Sequence, residues 1–317
     1  LIVNNKNNTS KNMTDCKIQK PFLKWVGGKN QLINDIISKI PSEMNNYHEL
    51  FLGGGSVLLA VLSLKKQEKI KIKNKIYAYD FNESLINTFN QIKNNKNDVI
   101  IELNKLKNEF TKIEKNTEGQ RGKPSDINKN TYKNTREHYY YWIRDLYNTS
   151  SKNTVLSSAY FIFLNKTGFK GMYREGKKGF NIPYGQKDKK SIPSIFSEDD
   201  LKNISDLIKD VEFKYMSFKE SIKNVKTGDF VYLDPPYAPE NSNSFVNYVV
   251  DGFSLETHKL LFDEIKKIDK IKFIMSNANV ELVTDNFKDY NCQEIMARRA
   301  INSKKPDSKT TEVIIYN

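Results

Sequence analysis

The sequence predicts an α/β fold, a Rossmann-like sheet with helices on both faces, interrupted by a helical and hairpin insert. Three observations carry that expectation. Towards both ends of the chain, apolar runs of strand length alternate with segments whose apolar residues recur at helical spacing. A glycine turn, Gly53-Gly54-Gly55, separates a strand from a helix in the first half. The middle of the chain breaks this alternation with consecutive helical patterns and a glycine-rich stretch.

Residues 1–19 are polar and aperiodic and read as a disordered leader, with Met13 a candidate natural start. From Pro21 an extended FLKWVGG leads into NQLINDIISKI, where Leu32, Ile33, Ile36, Ile37 and Ile40 predict a helix ending before Pro41. YHELFLGGGSVLLAVLSL reads as strand, glycine turn and apolar helix, and KIYAYDFN as a second strand ending in Asp80. A long helix is expected from Ser84 to about Phe110, with Val99, Leu103, Leu106, Phe110 and Ile113 on one face. After the polar stretch Lys115 to Thr135, REHYYYWIRDLY and VLSSAYFIFLN read as helices and TGFKGMYREGKKGFNIPYG as a glycine-rich loop or hairpin. Ser197 and Asp200 form a capping-box pattern that starts another helix. The alternation then returns with strands in VEFKYMSF and GDFVYLDPPY, a helix in SLETHKLLFDEIKKI, a strand in KFIMSNAN, and terminal strands around Cys292–Met296 and Glu312–Tyr316. The breaks divide the chain into the leader 1–19, a first part of the sheet domain at 20–95, an insert at 96–210 and a second part at 211–317.

Composition narrows the function classes. With 317 residues, 38% of them hydrophobic, the chain can bury a sizeable core. Lys and Arg outnumber Asp and Glu by 51 to 38, and the resulting net charge of +13 suits a polyanionic partner, nucleic acid first. An AT-rich genome that loads Lys and Asn codons would give the same balance, so motifs must decide. Cys16 and Cys292 are too few and too far apart for a disulfide framework or a cysteine zinc site. His48, His138 and His258 lack metal-ligand spacing, and no metal is expected. No apolar run approaches the roughly 20 residues that span a bilayer, so a soluble, cytoplasmic protein without membrane contact is expected.

Two motifs carry chemistry. The glycine turn lets backbone approach a ligand closely while Ser56 opens a helix N-terminus, and Asp80 ends the next strand, where its carboxylate can accept from ribose hydroxyls. Tight packing beside a surface Asp explains that segment as well, and a nicotinamide cofactor would fit it equally. The second motif is Asp234-Pro235-Pro236-Tyr237 behind the apolar strand Phe230 to Leu233, at the carboxyl edge of the sheet where ligand crevices lie. Consecutive prolines stiffen the bend and remove two donors, leaving carbonyls and a carboxylate aimed outward as acceptors for an amino group. Tyr237 adds a ring able to stack on a base.

DPPY in this setting resembles the catalytic motif of the S-adenosylmethionine-dependent amino methyltransferases of DNA. With FLKWVGGK (Phe22 to Lys29), ELFLGGGSVLL (Glu49 to Leu59), YAYDFN (Tyr77 to Asn82), FLNKTGFKGMYR (Phe163 to Arg174), FNIPYG (Phe180 to Gly185) and YLDPPYAP (Tyr232 to Pro239), the chain resembles the Dam-type, D12-class adenine-N6 methyltransferases from Lys20 to its end. The resemblance implies S-adenosyl-L-methionine as cofactor. Its methionine end would lie by Trp25, Gly27 and Lys29, beside Phe51, Gly53, Gly55 and Ser56. Asp80 would hold the ribose, the strand-end segment Tyr215 to Phe218, with Ser217 and Phe218, would border the adenine, and Asp234 would lie near the cofactor amino group and the target adenine. Asp234 and the Pro235 carbonyl would accept hydrogen bonds from adenine N6 and localise its lone pair, and Tyr237 would stack on the base once it is flipped out of the duplex.

The 96–210 insert then becomes a target-recognition region. Family members that read GATC place the positions of Lys24, Phe169, Met172, Arg174 and Pro183 on the DNA-reading surface. Lys170 and Met172 depart from the common wording, and the hairpin after Arg174 is shortened. ARRAINSKKPDSKTTE, with Arg298, Arg299, Asn302 and Ser303, reads as a polar loop for phosphates, or simply as a solvated basic loop. Double-stranded DNA is the implied partner, with a cognate restriction endonuclease if the enzyme serves restriction–modification, and action as a monomer is the simpler expectation. The competing readings are a catalytically idle nucleic-acid-binding protein on the same fold, a cytosine-N4 or RNA-adenine methyltransferase, and a nicotinamide-dependent dehydrogenase that would leave DPPY and the insert unexplained.

Overall fold

The computed structural model describes residues 16–117, 123–186, 191–238, 253–268, 270–298 and 309–317, with backbone alone at 297–298 and 309–310. The central sheet contains β2 (Tyr47–Glu49), β4 (Ile76–Asp80), β7 (Val211–Tyr215), β8 (Phe230–Leu233), β9 (Lys272–Ala278), β10 (Asn291–Arg298) and β11 (Lys309–Tyr316). Their spatial order is β10-β11-β9-β8-β2-β4-β7. Strands β7, β4, β2, β8 and β9 run parallel, and β11 and β10 close one edge antiparallel. Short pairs lie outside it: β1 (Glu43–Met44) with β3 (Lys71–Ile72), and β5 (Glu175–Gly176) with β6 (Gly179–Phe180).

Side-chain alternation along the strands sorts two cores. Phe230 and Tyr232 face one layer while Val231 and Leu233 face the other, and Ile314 is likewise separated from Val313 and Ile315. The first layer holds α1 (Ile33–Ile37), α2 (Ser56–Lys66) and α3 (Glu83–Lys112), followed by α4 (Arg136–Thr149), α5 (Val155–Thr167) and α6 (Glu198–Leu207). The second layer holds α7 (Phe218–Ser221), α8 (Leu255–Lys267) and α9 (Glu281–Thr284). Asn82, Thr135, Thr154, Ser197 and Ser254 cap α3, α4, α5, α6 and α8, each side chain accepting a backbone N–H of the first turn. A doubly covered, mostly parallel sheet is the α/β architecture the sequence predicts.

Differences are local. FLKWVGG is bent and turned rather than a strand, and the expected first helix is a 3-10 turn at Lys29–Gln31 followed by the short α1. Arg298 ends β10 instead of opening a loop, while Arg299, Asn302 and Ser303 lie outside the described residues. Of the expected leader, residues 1–15 also lie outside them, but 16–19 are docked along α2 rather than disordered: Gln19 N donates to Ser63 Oγ at 3.1 Å and Gln67 Nε2 to Lys17 O at 3.1 Å. At 95/96, where the insert was expected to begin, Asn95 takes non-helical angles (φ −133°, ψ 36°) and α3 is two helical halves joined across a kink. Its second half buries Val99, Leu103, Leu106 and Phe110 against the aromatic faces of α4 and α5, in the same core that packs α2 on the sheet.

Candidate active site

Strand order reverses between β4 and β8, which flank β2, and such a switch point opens a crevice at the carboxyl ends. Register pairs Glu49 of β2 with Tyr232 of β8, so the glycine turn and Asp234 emerge side by side. Trp25, Gly27, Lys29, Gly53, Ser56 and Asp234, named from the sequence, line one narrow cleft there together with Glu49 and Tyr232.

Gly53 and Gly54 are required by the indole of Trp25. Gly53 has φ 49°, and a Cβ on Gly53 or Gly54 would come 3.0 or 2.8 Å from Trp25 side-chain atoms. Gly55 takes φ 74° and caps α2. Asp80 reaches the same turn from β4: its Oδ2 accepts Gly53 N at 2.9 Å and its Oδ1 accepts Asn82 N at 2.9 Å. Burial pushes its carboxyl up to about 6, against the lowering effect of these amides. Phe51 and Phe218 lie together in the second layer, ring centroids 5.8 Å apart. Ser217 does not present a free hydroxyl; its Oγ donates to Glu220 Oε2 at 2.8 Å within the capping box of α7.

In the DPPY bend, Asp234, Pro236 and Tyr237 each meet a side chain from elsewhere in the chain. Lys29 is only 4% exposed, and its Nζ lies 2.7 Å from Asp234 Oδ2 and 4.9 Å from the ring centroid of Tyr237, while also donating to Gly27 O. Burial raises the Asp234 carboxyl above its ordinary range, and the Lys29 ammonium pulls it back down. Pro236 O meets His258 Nε2 at 3.0 Å, Tyr237 OH donates to Glu312 Oε2 at 2.7 Å, and Ala238 N donates to the buried Asn277 Oδ1 at 3.1 Å. Among the described residues Pro235 O has no internal donor, so it and the Asp234 carboxylate are the acceptors left at the rim.

The expected DNA-reading residues gather on a separate surface. Phe169 N donates to Pro183 O at 2.9 Å and Asn181 N to Arg174 O at 3.0 Å, closing the hairpin that carries β5 and β6. Phe169, Arg174 and Pro183 are exposed and Met172 is half-buried; the Arg174 Nε donates to Asn181 Oδ1 at 2.7 Å. Lys24 joins them through Asn165, whose side chain accepts Lys24 N at 2.8 Å and donates to Lys24 O at 2.7 Å and Gly171 O at 3.0 Å. Trp25 stacks on Tyr173 at 5.9 Å, linking the cleft to this hairpin.

Residues 25–301 match the family model for the D12 class N6 adenine-specific DNA methyltransferases. The chain belongs to that family. The type II methyltransferase M.MjaIII of Methanocaldococcus jannaschii is 35% identical over 94% of this chain and 99% of its own. The type II methyltransferase M1.LlaDCHI of Lactococcus lactis subsp. cremoris is 31% identical over 94% and 95%, and a DNA adenine methylase of Haemophilus influenzae is 28% identical over 92% and 90%. The protein is thus an adenine-specific DNA methyltransferase of the D12 class, acting on DNA.

Several residues at this candidate site were not singled out from the sequence. Glu49 is a buried acid in the cleft, bonded to Tyr47 OH at 2.6 Å and pushed well above the usual carboxylate range by burial. An acid inside an apolar strand was the visible signal. Phe81, 72% exposed and stacked on Tyr215 at 5.4 Å, extends from Asp80 at the same edge. His258, Asn277 and Glu312 reach the bend from distant sequence, with no local pattern to mark them. No group of three or more His, Cys, Asp or Glu that could hold a metal occurs among the described residues, and no helix there is long and apolar enough to cross a membrane.

Proposed function

We propose that this D12-class enzyme transfers the methyl group of S-adenosyl-L-methionine to N6 of an adenine flipped out of duplex DNA, within GATC. The observation that carries the reading is the juxtaposition of the glycine turn with the Asp234 bend across one cleft. The residues suit the cofactor: the Asp80 carboxylate, held on the glycine turn, stands by for ribose hydroxyls, and the exposed Phe81–Tyr215 pair offers aromatic surface to an adenine ring. When bound, the cofactor supplies an electrophilic methyl on a sulfonium.

The chain's own part is to prepare the nucleophile. Adenine N6 is weak because its lone pair is delocalised into the ring. Asp234 and Pro235 O accept hydrogen bonds from its two N–H groups and turn the lone pair out of conjugation; one of the two protons is lost from N6 as the methyl is gained. The Lys29 ammonium, 2.7 Å away, keeps Asp234 ionised in a setting where burial favours the neutral acid. Tyr237, held by Glu312, presents its ring to the extruded base. The exposed hairpin with Arg174 reads the duplex, Arg being suited to bidentate bonds with guanine, and the net charge of +13 supports phosphate binding. The 96–210 segment serves this recognition, and the enzyme acts as a monomer.

Incubation with tritiated S-adenosylmethionine and matched duplexes with and without GATC tests the reading. Label confined to the GATC duplex is the expected result. Equal labelling would reject the sequence assignment, and no label on any DNA would reject the activity.

A further inference from the structure

We propose that His258 on α8 is a positioning residue for the Asp234–Tyr237 bend, acting through the carbonyl of Pro236. The proposal rests on the reading of Asp234 as the group that holds the reacting amine. The bend has no N–H at Pro235 or Pro236, so it cannot fix itself with its own donors; its carbonyls must be held from outside. His258 Nε2 lies 3.0 Å from Pro236 O, and Nδ1 lies 2.9 Å from Ser254 O.

A neutral imidazole carries one N–H, so the two carbonyls compete for it. Ser254 O already accepts the amide N–H of His258 at 3.0 Å, in the first turn of α8. A proton on Nδ1 would duplicate that bond and leave a lone pair facing Pro236 O; a proton on Nε2 gives each carbonyl one N–H donor, with the Nδ1 lone pair set against Ser254 O at 2.9 Å as the cost. The ring is fully buried and set edge-to-face with Phe253 at 4.7 Å and Phe262 at 6.2 Å, so it has little freedom to turn. Burial also holds it below the usual histidine range, towards the neutral form.

The opposite side of the bend is gripped from the sheet, where the fully buried Asn277 accepts Ala238 N at 3.1 Å. Pro236 and Ala238 are therefore clamped from different layers, which fixes the Pro236–Tyr237 peptide plane and, through the two stiff prolines, restrains Asp234 and Pro235 O. Removing the Nε2 donor leaves the Pro236 carbonyl without its partner and frees the Pro236–Tyr237 plane to rotate, loosening the bend that carries Asp234. Misplacing a catalytic group by about 1 Å costs on the order of 100-fold in rate. The loss should fall on kcat, because the cofactor cleft and the hairpin are built from other residues.

Glutamine places an amide nitrogen near the ring Nε2 position, and asparagine places one near Nδ1, out of reach of Pro236. In the full-length protein, His258→Gln should retain kcat within about 3-fold, while His258→Asn should lower it roughly 10- to 100-fold with both KM values changed less than about 2-fold. Equal kcat in the two variants, or loss confined to KM, would overturn the proposal. A long-range 1H–15N spectrum of the histidine-labelled wild type gives an answer independent of turnover. The signals missing from His258→Gln identify the ring. A proton on Nε2 supports the proposal, and a neutral ring protonated on Nδ1 alone contradicts it. If the wild type methylates no DNA, the reading of the site fails by itself, and the ring's tautomer still decides whether Pro236 is held this way.

Discussion

Asp234 sits on a bend whose neighbours are gripped from separate elements: Lys29 on the carboxylate, His258 on Pro236 O, Glu312 on Tyr237 OH and Asn277 on Ala238 N. Arg174 sits on an exposed hairpin, its guanidinium touching Asn181 at 2.7 Å, and its anchorage lies beneath, where Asn165 ties Lys24 to Gly171. The difference fits the tasks proposed for the two regions. Chemistry at a poor nucleophile needs acceptors that do not reorganise during reaction, so they are buried and clamped. Reading a groove needs side chains that reach outward, so only their base is fixed.

The sharpest way to break this contrast is Asp234→Ala. Transfer should fall at least about 1,000-fold with little change in duplex affinity, measured by methyl incorporation beside fluorescence anisotropy. Retained turnover would mean the bend does not hold the amine. Lys29→Met separates charge from packing at the same point. Losing the ammonium removes the cause that lowers the Asp234 carboxyl, so the acidic limb of the kcat profile should move to higher pH. An unmoved limb would assign Lys29 to another task.

On the hairpin, Gly171→Ala should cost roughly 1–3 kcal/mol of stability, because Gly171 has φ 66° and a Cβ there would come 2.4 Å from Lys24 Cβ. Thermal unfolding checks it. Arg174→Ala should spare folding and turnover while reducing discrimination between GATC and single-base variants by roughly 1–3 kcal/mol. Uniform weakening across all duplexes would make Arg174 a phosphate contact instead. The smallest effect is expected at Asp80, whose carboxyl is pushed up to about 6 by burial. If its carboxylate accepts ribose hydroxyls, cofactor affinity should fall as pH drops through about 6, where protonation removes acceptor capacity, and Asp80→Asn should flatten that dependence.

The two regions also differ in how readable they were. Gly53 to Gly55, Asp80 and Asp234 could be placed from sequence because turn chemistry and strand ends are local signals, and a switch point in a parallel sheet brings such ends together. Helices with strong periodicity, such as Glu83–Lys112, were legible for the same reason. Lys29 could be named, but not its ion pair with Asp234, which joins residues far apart in the chain. Ser217 was expected beside a ligand, and its hydroxyl is bonded to Glu220. His258, Asn277 and Glu312 were invisible, since nothing within a few residues of each hints at the bend. Asn165 lay within a quoted motif, but its bonds to the backbone of Lys24 and Gly171 depend on how the hairpin folds back on the FLKWVGGK segment.

The chemistry assigned to the clamped bend is tested most directly by the nucleoside that carries the label. Duplex DNA methylated by the wild type and by Asp234→Ala is digested to nucleosides and separated. Label in N6-methyldeoxyadenosine from the wild type, and its absence from the variant, is the expected result. Label in N4-methyldeoxycytidine, or in N6-methyldeoxyadenosine from both proteins, would contradict it.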